Sequence, residues 1–378
     1  MKNVVIACGG TGGHLTPGIG LAQALEEKGC PCWLFISRKQ VDSRLSSKYR
    51  KMSFEPMPGA PFSRSAWGLF KFFKELLHSF VLSRKFYRKV GADVLVGFGG
   101  FSTLGPALAA RTMGIPIYLH ESNRKTGKAV RFLARRADRV YLPEGVRVEG
   151  VSYEKIYHFG YPLRQDFRRM PMERARRKLG IPMADKLLVV LGGSQGAVAL
   201  NQWVKNNIEN LAMDGISVYC VTGMNKESSG VVQLHDASGT TVTSRFVPFT
   251  DQMEVLLSSA NLVISRAGAG SLAEVVKCRV PVIMIPYPYA ADDHQTHNAV
   301  YLESKGGGVV CPQSEISEKL LDEVRELMFN EEFRTLIRRN LFSLDSGDDG
   351  LRMAQDILQS LKNSKSVADR RDFGGVFA

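Results

Sequence analysis

The chain has 378 residues, 44% of them hydrophobic, and a formal net charge of +13 at pH 7. That length and apolar content suit two domains with real cores and exclude a disordered chain, and no run of about 18 apolar residues offers a bilayer span. Six scattered cysteines (Cys8, Cys30, Cys32, Cys220, Cys278, Cys311) lack a CxxC pair or a framework spacing, which reads as reduced thiols and excludes a disulfide scaffold or a zinc finger.

A strand pattern from the first residues leaves no room for a secretion signal, and a cytoplasmic protein is expected. The positive balance points to an anionic partner: an acidic membrane, phosphorylated substrates or nucleic acid. No RNA- or DNA-binding signature occurs, and aromatic residues are not interleaved with basic ones as in a stacking platform, so no nucleic-acid partner is expected.

The first strand, 4–7, runs into Cys8-Gly9-Gly10-Thr11-Gly12-Gly13-His14-Leu15-Thr16-Pro17, with a helical pattern from about Pro17. Glycines let another molecule approach the main chain, and a helix start favours an anion or a polarised hydroxyl. His14 is the loop's one reactive side chain, able to change charge near neutral pH. The second strand, 33–36, ends in Ser37-Arg38 with no carboxylate for a ribose, and the first loop closes with Gly-His where a P-loop has Gly-Lys-Ser/Thr. Both common nucleotide fingerprints therefore fail.

From Arg64 to Lys89 a helical stretch mixes Trp67, Phe70, Phe72, Phe73 and Phe80 with seven basic residues and the single acid Glu75. Such a helix lies on an anionic membrane or packs in a core with a solvated basic face; the sequence leaves both open. Strand 94–98 ends in Gly97-Phe98-Gly99-Gly100-Phe101-Ser102, and strand 116–119 in His120-Glu121-Ser122-Asn123, followed by a basic run from Arg124 to Arg139. With His14, these clusters fall at carboxyl ends of strands, where open α/β sheets bind ligands.

After strand 139–142 the pattern restarts at Gly160-Tyr161-Pro162. Strand 187–191 leads into Gly192-Gly193-Ser194-Gln195-Gly196-Ala197 and a helix, and strands fit 217–222, 242–247, 262–265 and 281–285. Ser265-Arg266-Ala267-Gly268-Ala269-Gly270 repeats the strand, small-residue loop and helix order, with Glu274 one turn inside the helix. Ala291-Asp292-Asp293-His294-Gln295-Thr296-His297-Asn298 offers amides and carboxylates suited to a sugar; a metal site would need a third converging ligand that the spacing does not supply. Two Rossmann-like halves in series are expected, with helices from 314 to 362 and a polar, Gly-rich tail.

Taken together, Gly9–His14 with Pro17, His120-Glu121-Ser122-Asn123, Gly160-Tyr161-Pro162-Leu163-Arg164, Gly192–Ala197 and Asp293–Asn298 resemble the MurG family, GlcNAc transferases that convert lipid I to lipid II in peptidoglycan synthesis. The resemblance implies a GT-B fold, two Rossmann-like domains with parallel sheets facing a deep cleft. It implies an acceptor and membrane-association domain over 1–162, a UDP-GlcNAc domain over 163–342, a helix over 343–362 returning to the first domain, and a disordered tail over 363–378. It further implies UDP-GlcNAc as donor, lipid I as acceptor, no metal or other cofactor, and a place at the cytoplasmic face of the inner membrane. His14 and Glu121 become the catalytic candidates, with Thr11, Gly12, Gly13 and Asn123 on the acceptor side. Arg164, Ser194, Gln195 and Asn201 would hold the nucleotide and diphosphate region, with Phe249 and Thr250 against uracil. Arg266, Gly268 and Ala269 would shape the phosphate loop, Glu274 would take the ribose, and His294 and Gln295 the sugar. The chain departs from the family in Tyr161, where Asn is usual, in His294, at a place that can be Gln, and in a more basic loop at Arg124-Lys125-Thr126. Another GT-B transferase or a UDP-GlcNAc 2-epimerase is the alternative.

Overall fold

A computed structural model of the chain describes residues 2–10, 12–38, 46–192, 198–223 and 229–373, those from 364 onward as backbone alone. The chain divides into two compact units: unit 1 comprises Met1–Ser122, Thr126–Gln165 and Gly347–Ala378, and unit 2 comprises Asn123–Lys125 and Asp166–Ser346.

Unit 1 is built on seven parallel strands in the order β3-β2-β1-β4-β5-β6-β7. These are β1 (Val4–Ala7), β2 (Cys32–Ile36), β3 (Ser53–Pro56), β4 (Val94–Gly97), β5 (Ile117–His120), β6 (Arg139–Leu142) and β7 (Ile156–His158). Side chains alternate across a strand, so Val4, Ile6 and Cys8 enter one core while Val5 and Ala7 enter the other. The first core is covered by α1 (Gly12–Glu27) and by the final helix, α12 (Asp349–Phe373), through Met353, Ala354, Ile357 and Leu361. On the second face lie α2 (Ala66–Val90), α3 (Phe101–Thr112) and α4 (Lys128–Ala134). Helix α1 begins five residues before Pro17, the expected start, and carries that proline inside. Gly9 and Gly10 let the chain turn close behind β1, and Pro17 deletes one backbone donor without ending the helix.

Unit 2 holds a second seven-stranded sheet, β10-β11-β9-β8-β12-β13-β14, parallel except for the antiparallel β10–β11 pair. Its strands are β8 (Lys186–Leu191), β9 (Ile216–Val221), β10 (Gly230–His235), β11 (Thr241–Val247), β12 (Leu262–Ser265), β13 (Val282–Met284) and β14 (Val309–Val310). Its helices are α5 (Met172–Leu179), α6 (Val198–Met213), α7 (Met253–Ser259), α8 (Ala269–Cys278), α9 (His294–Ser304), α10 (Leu320–Phe329) and α11 (Glu331–Leu344). A buried arginine staples this unit: Arg176 of α5 donates to the carbonyls of Ser259, Pro182, Met183 and Asp185 and to Asn261 Oδ1.

Each sheet has a point where strand order reverses direction, between β1 and β4 in unit 1 and between β8 and β12 in unit 2. Loops leaving two such strands diverge and open a crevice at their carboxyl ends. Four of the chain's glycine clusters follow β1, β4, β8 and β12, the four strands at those points.

Candidate active site

In unit 1 the loops after β1 and β4 are fastened to each other. Ser102 Oγ donates to the Gly9 carbonyl across the two loops, and within the loop after β4 Thr103 Oγ1 donates to Gly99 O at 2.6 Å. Gly99 and Gly100 have φ of 86° and 72°, in the left-handed region. A Cβ on Gly100 would lie 3.0 Å from His14 Cε1 and 3.1 Å from Nδ1. Glycine is thus needed twice at position 100, for its backbone angle and for the imidazole beside it. Gly12, Gly13 and His14 form the first residues of α1, and His14 remains half-buried at the crevice.

The cluster after β5 separates into different parts. His120 is a core residue: it is buried, packs on Phe98, and donates from Nε2 to the Gly160 carbonyl at 3.1 Å. Burial lowers its pKa, the Gly160 hydrogen bond opposing. Glu121 is also buried and accepts the Gly127 N–H at 2.7 Å, bracing the turn that leads into α4. Asn123 lies in unit 2 and not with the first-domain residues beside which the sequence sets it. Arg164, expected beside the nucleotide in the second domain, belongs to unit 1, where Nη1 donates to Tyr49 Oη at 2.9 Å.

In unit 2, Gly268 is the N-cap of α8 and Ala269 its first residue. A cap without a side chain leaves the first-turn N–H groups pointing outward, an arrangement that attracts a phosphate. A Cβ at Gly268 would meet nothing within 4 Å, so space is open there. Glu274 follows on the same helix, half-buried. Arg266 turns back into the protein: its guanidinium donates to the carbonyls of Ile285 and Pro286 and to Gln313 Oε1 at 2.6 Å. It therefore supports the segment after β13 from below, and burial lowers its pKa, the Tyr287 charge opposing.

That segment is strained. Asp292 and Asp293 both adopt left-handed φ, 53° and 52°, at the start of α9. Consecutive non-glycine residues in this region cost on the order of 1–3 kcal/mol each and cluster at ligand sites. Gln295 Oε1 accepts the Tyr287 N–H at 2.9 Å, and His294 Nδ1 lies 2.7 Å from the Ala291 carbonyl. A carbonyl only accepts, so Nδ1 carries a proton and Nε2 is the ring nitrogen left for another partner. Asn201 ties α6 to the end of β9 by donating to Thr222 O at 2.9 Å. Phe249 is exposed in the loop after β11, and Thr250 Oγ1 accepts the Gln252 N–H beside it. Thr11, Ser194 and Gln195 lie outside the described residues. Among the described residues no three His, Cys, Asp or Glu side chains converge as metal ligands.

Sequence reasoning counted Asn298 only among the amides suited to a sugar, without its partners Asn123 Oδ1 and the Ala267 carbonyl, and gave no part to Tyr301 or Gln313. Gln313 had no signal, its role being set by Arg266 from 47 positions away.

The comparisons with known proteins agree with this division. The family models described as glycosyltransferase family 28 N-terminal and C-terminal domains match residues 4–142 and 187–343. A UDP-N-acetylglucosamine--N-acetylmuramyl-(pentapeptide) pyrophosphoryl-undecaprenol N-acetylglucosamine transferase of Opitutus terrae is 43% identical over 357 residues, covering 94% of each chain. The protein of the same description from Prochlorococcus marinus is 34% identical, over 92% of this chain and 91% of its own. Among solved structures, MurG of Acinetobacter baumannii superposes with a TM-score of 0.68 at 22% identity, over 96% of this chain and all of that one. The calicheamicin glycosyltransferase CalG4 reaches 0.69 at 12% identity, over 96% and 98%, a likeness of fold alone.

Proposed function

The chain belongs to the MurG family of glycosyltransferases, and from that premise we infer that it moves GlcNAc from UDP-GlcNAc to the 4-hydroxyl of MurNAc in lipid I, forming lipid II. The observation that carries this is the match to a transferase of that description along 94% of both chains. Its GT-B architecture of two Rossmann-like parallel sheets supplies one crevice per unit.

Unit 2 takes the donor in this reading. The uncapped start of α8 faces the diphosphate, Glu274 accepts the ribose hydroxyls, Phe249 and Thr250 flank the uracil, and His294 and Gln295 meet the sugar. Asn201, Ser194 and Gln195 complete the nucleotide set, and Arg164, a residue of unit 1, has no place in it. Unit 2 has 21 basic and 21 acidic residues and so no net charge of its own; in this reading local N–H dipoles hold the donor's phosphates. Unit 1 takes the acceptor, with Thr11, Gly12 and Gly13 beside His14. The acceptor oxygen attacks the anomeric carbon, the bond from that carbon to the β-phosphate oxygen breaks with inversion, and His14 takes the hydroxyl proton. A base held against a rigid glycine turn loses no time to reorientation at that step. Glu121 acts by holding the turn ahead of α4.

The acceptor's lipid calls for a membrane-facing surface, and α2 supports one. Trp67, Phe70, Phe73, Leu77 and Val81 are all exposed, Trp67 to 74%, and recur every three or four residues along a single face. Lys71 and Lys74 stand exposed among them. An apolar stripe turned to solvent with lysines interspersed suits the cytoplasmic face of an anionic inner membrane, and no helix among the described residues is long and apolar enough to cross it. The test is transfer of labelled GlcNAc from UDP-GlcNAc to a short-chain lipid I analogue. Product that forms only with the analogue supports the reading; free N-acetylmannosamine without it would replace it with an epimerase.

A further inference from the structure

The four sheet edges of the molecule are not alike. β3 carries Glu55 and ends on Pro56, β7 has three residues and β14 two. Shortness, charge and proline are devices that keep an edge from pairing with another chain. β10 has none of them: its six residues, Gly230-Val231-Val232-Gln233-Leu234-His235, include no lysine, arginine, aspartate, glutamate or proline. Five of the six are exposed and Leu234 is half-buried, with Val231 exposed to 62%. Among the described residues its one strand partner is β11, so the backbone N–H and C=O groups of its far side face outward.

The register with β11 sorts the side chains by face. Val232 and Leu234 stand opposite Ser244 and Val242, both buried, whereas Val231 and Gln233 stand opposite Arg245 and Thr243 on the other face. A strand that joins its own copy in one continuous sheet, about a two-fold axis, keeps its faces, so each residue meets itself or one an even number of positions away. Centred on Gln233, such a pair sets Val232 against Leu234 twice, Val231 against His235 and Gly230 against Asp236. Apolar then meets apolar on the core-side face, and no two like charges are opposed. Centring on Val232 instead would set Leu234 against Gly230 and Val231 against Gln233. Unit 2, which carries β10, has no net charge to set against a second copy of itself.

We propose that β10 is a self-association edge, through which two copies of the chain pair antiparallel over residues 230–236 about a two-fold axis at Gln233. The contact is isologous and closes at two copies. It is about 20 Å long, and one strand pair of that length covers well under the roughly 1,600 Å² of a standard interface. The dimer is therefore weak in dilute solution and grows with concentration.

Sedimentation of the full chain from about 1 μM to about 300 μM, where small interfaces associate, is expected to show a monomer–dimer equilibrium. Residue 233 meets itself across the axis, which gives the test its signature. Gln233→Lys and Gln233→Glu each oppose two like charges and are expected to weaken association about fivefold, whereas their equimolar mixture recovers it as a mixed dimer. Gln233→Cys leaves the edge uncharged, and directly opposed Cβ atoms lie about 4.5–5.5 Å apart. Diamide, itself reduced to the hydrazine, should oxidise the two facing thiols to one intermolecular disulfide, the six native cysteines being buried. Val231→Cys should not cross-link, because its counterpart is displaced four positions along the strand. A wild type that stays monomeric over that range would leave the edge to a strand of another protein and overturn the proposal. Lysine and glutamate variants that associate as wild type does, or equal cross-linking at 231 and 233, would overturn it as well. No residue of β10 belongs to the transfer machinery, so none of these outcomes touches the transferase reading.

Discussion

His14 owes its position to a residue with no side chain. Gly100 leaves room at 3.0–3.1 Å for the imidazole, and its φ of 72° starts α3 at the angle that brings the β4 loop alongside the β1 loop. A general base contributes about 10²- to 10⁴-fold, so His14→Ala is expected to lower kcat by that range while the affinity for UDP, held on unit 2, changes little. Unchanged kcat would remove His14 from the proton transfer. The buried histidine of unit 1, His120, has a different physical job. Burial lowers the pKa of His120 from the ordinary 6.5, so between those two values the unfolded chain binds a proton that the folded chain refuses. Stability therefore rises with pH across that window and is fully present above it; it drains as pH falls through about 6.5 and levels off below the folded value. His120→Gln keeps a donor for the Gly160 carbonyl and abolishes the titration. Its melting temperature should decline less than that of wild type between about pH 7 and pH 5; parallel declines would locate the acid sensitivity elsewhere. At this scale the glycines and His14 were legible because a loop with no other reactive group announces itself. Asn298 was not legible in its role, because that role comes from Asn123, 175 positions earlier, and Ala267, 31 earlier.

Strands buried on both faces were plain from continuous apolar runs such as Leu187–Leu191. The four strands that sequence patterns missed, β3, β7, β10 and β14, occupy the four sheet edges. An edge strand is covered on fewer sides and tolerates Ser53, Glu55 and Pro56 in β3, or the exposed Val231 and Val232 in β10, so its sequence carries little strand signal. Helix α12 runs past residue 362 as far as Phe373, and its attachment to unit 1 is polar as well as apolar. Arg139 of β6 donates from Nη1 to both carboxylate oxygens of Asp356 at 2.8 Å, Tyr141 Oη donates to the same carboxylate, and Arg139 Nε donates to Ser360 Oγ. Tyr157 lies beneath the guanidinium, 4.2 Å from ring centroid to Cζ. Removing one partner of such a pair strands the other, at a cost on the order of 2–4 kcal/mol for a partly buried site. Asp356→Ala should therefore speed hydrogen exchange along α12 and leave α8 amides as they are in wild type. Equal protection of α12 in both proteins would mean that the apolar face from Met353 to Leu361 holds the helix unaided.

Charge is divided between the two units without compromise. Unit 1 carries 29 basic and 16 acidic residues, which is the whole net charge of +13, while unit 2 balances at 21 of each. A soluble nucleotide sugar needs only local dipoles, whereas a lipid-borne acceptor rewards a protein that concentrates at the anionic surface where the acceptor resides. The exposed stripe of α2 and the net positive charge belong to the same unit, so on the membrane-facing reading both are expected to contribute to attachment. Burying one large aromatic contributes about 1.5–3 kcal/mol, and replacing it by an acid also adds repulsion from anionic lipid. Trp67→Glu with Phe70→Glu is accordingly expected to lower partitioning onto phosphatidylglycerol vesicles at least about tenfold, with binding of UDP unaffected. In wild type, raising salt from about 0.1 M to about 1 M shortens the screening length from about 10 Å to about 3 Å, which should weaken binding to anionic vesicles and leave the residual binding equal to that on neutral phosphatidylcholine. Vesicle sedimentation measures both. Partitioning that ignores salt and survives the double substitution would mean that neither the charge of unit 1 nor its aromatic stripe meets the lipid, and the acceptor would have to be drawn from the bilayer by another surface.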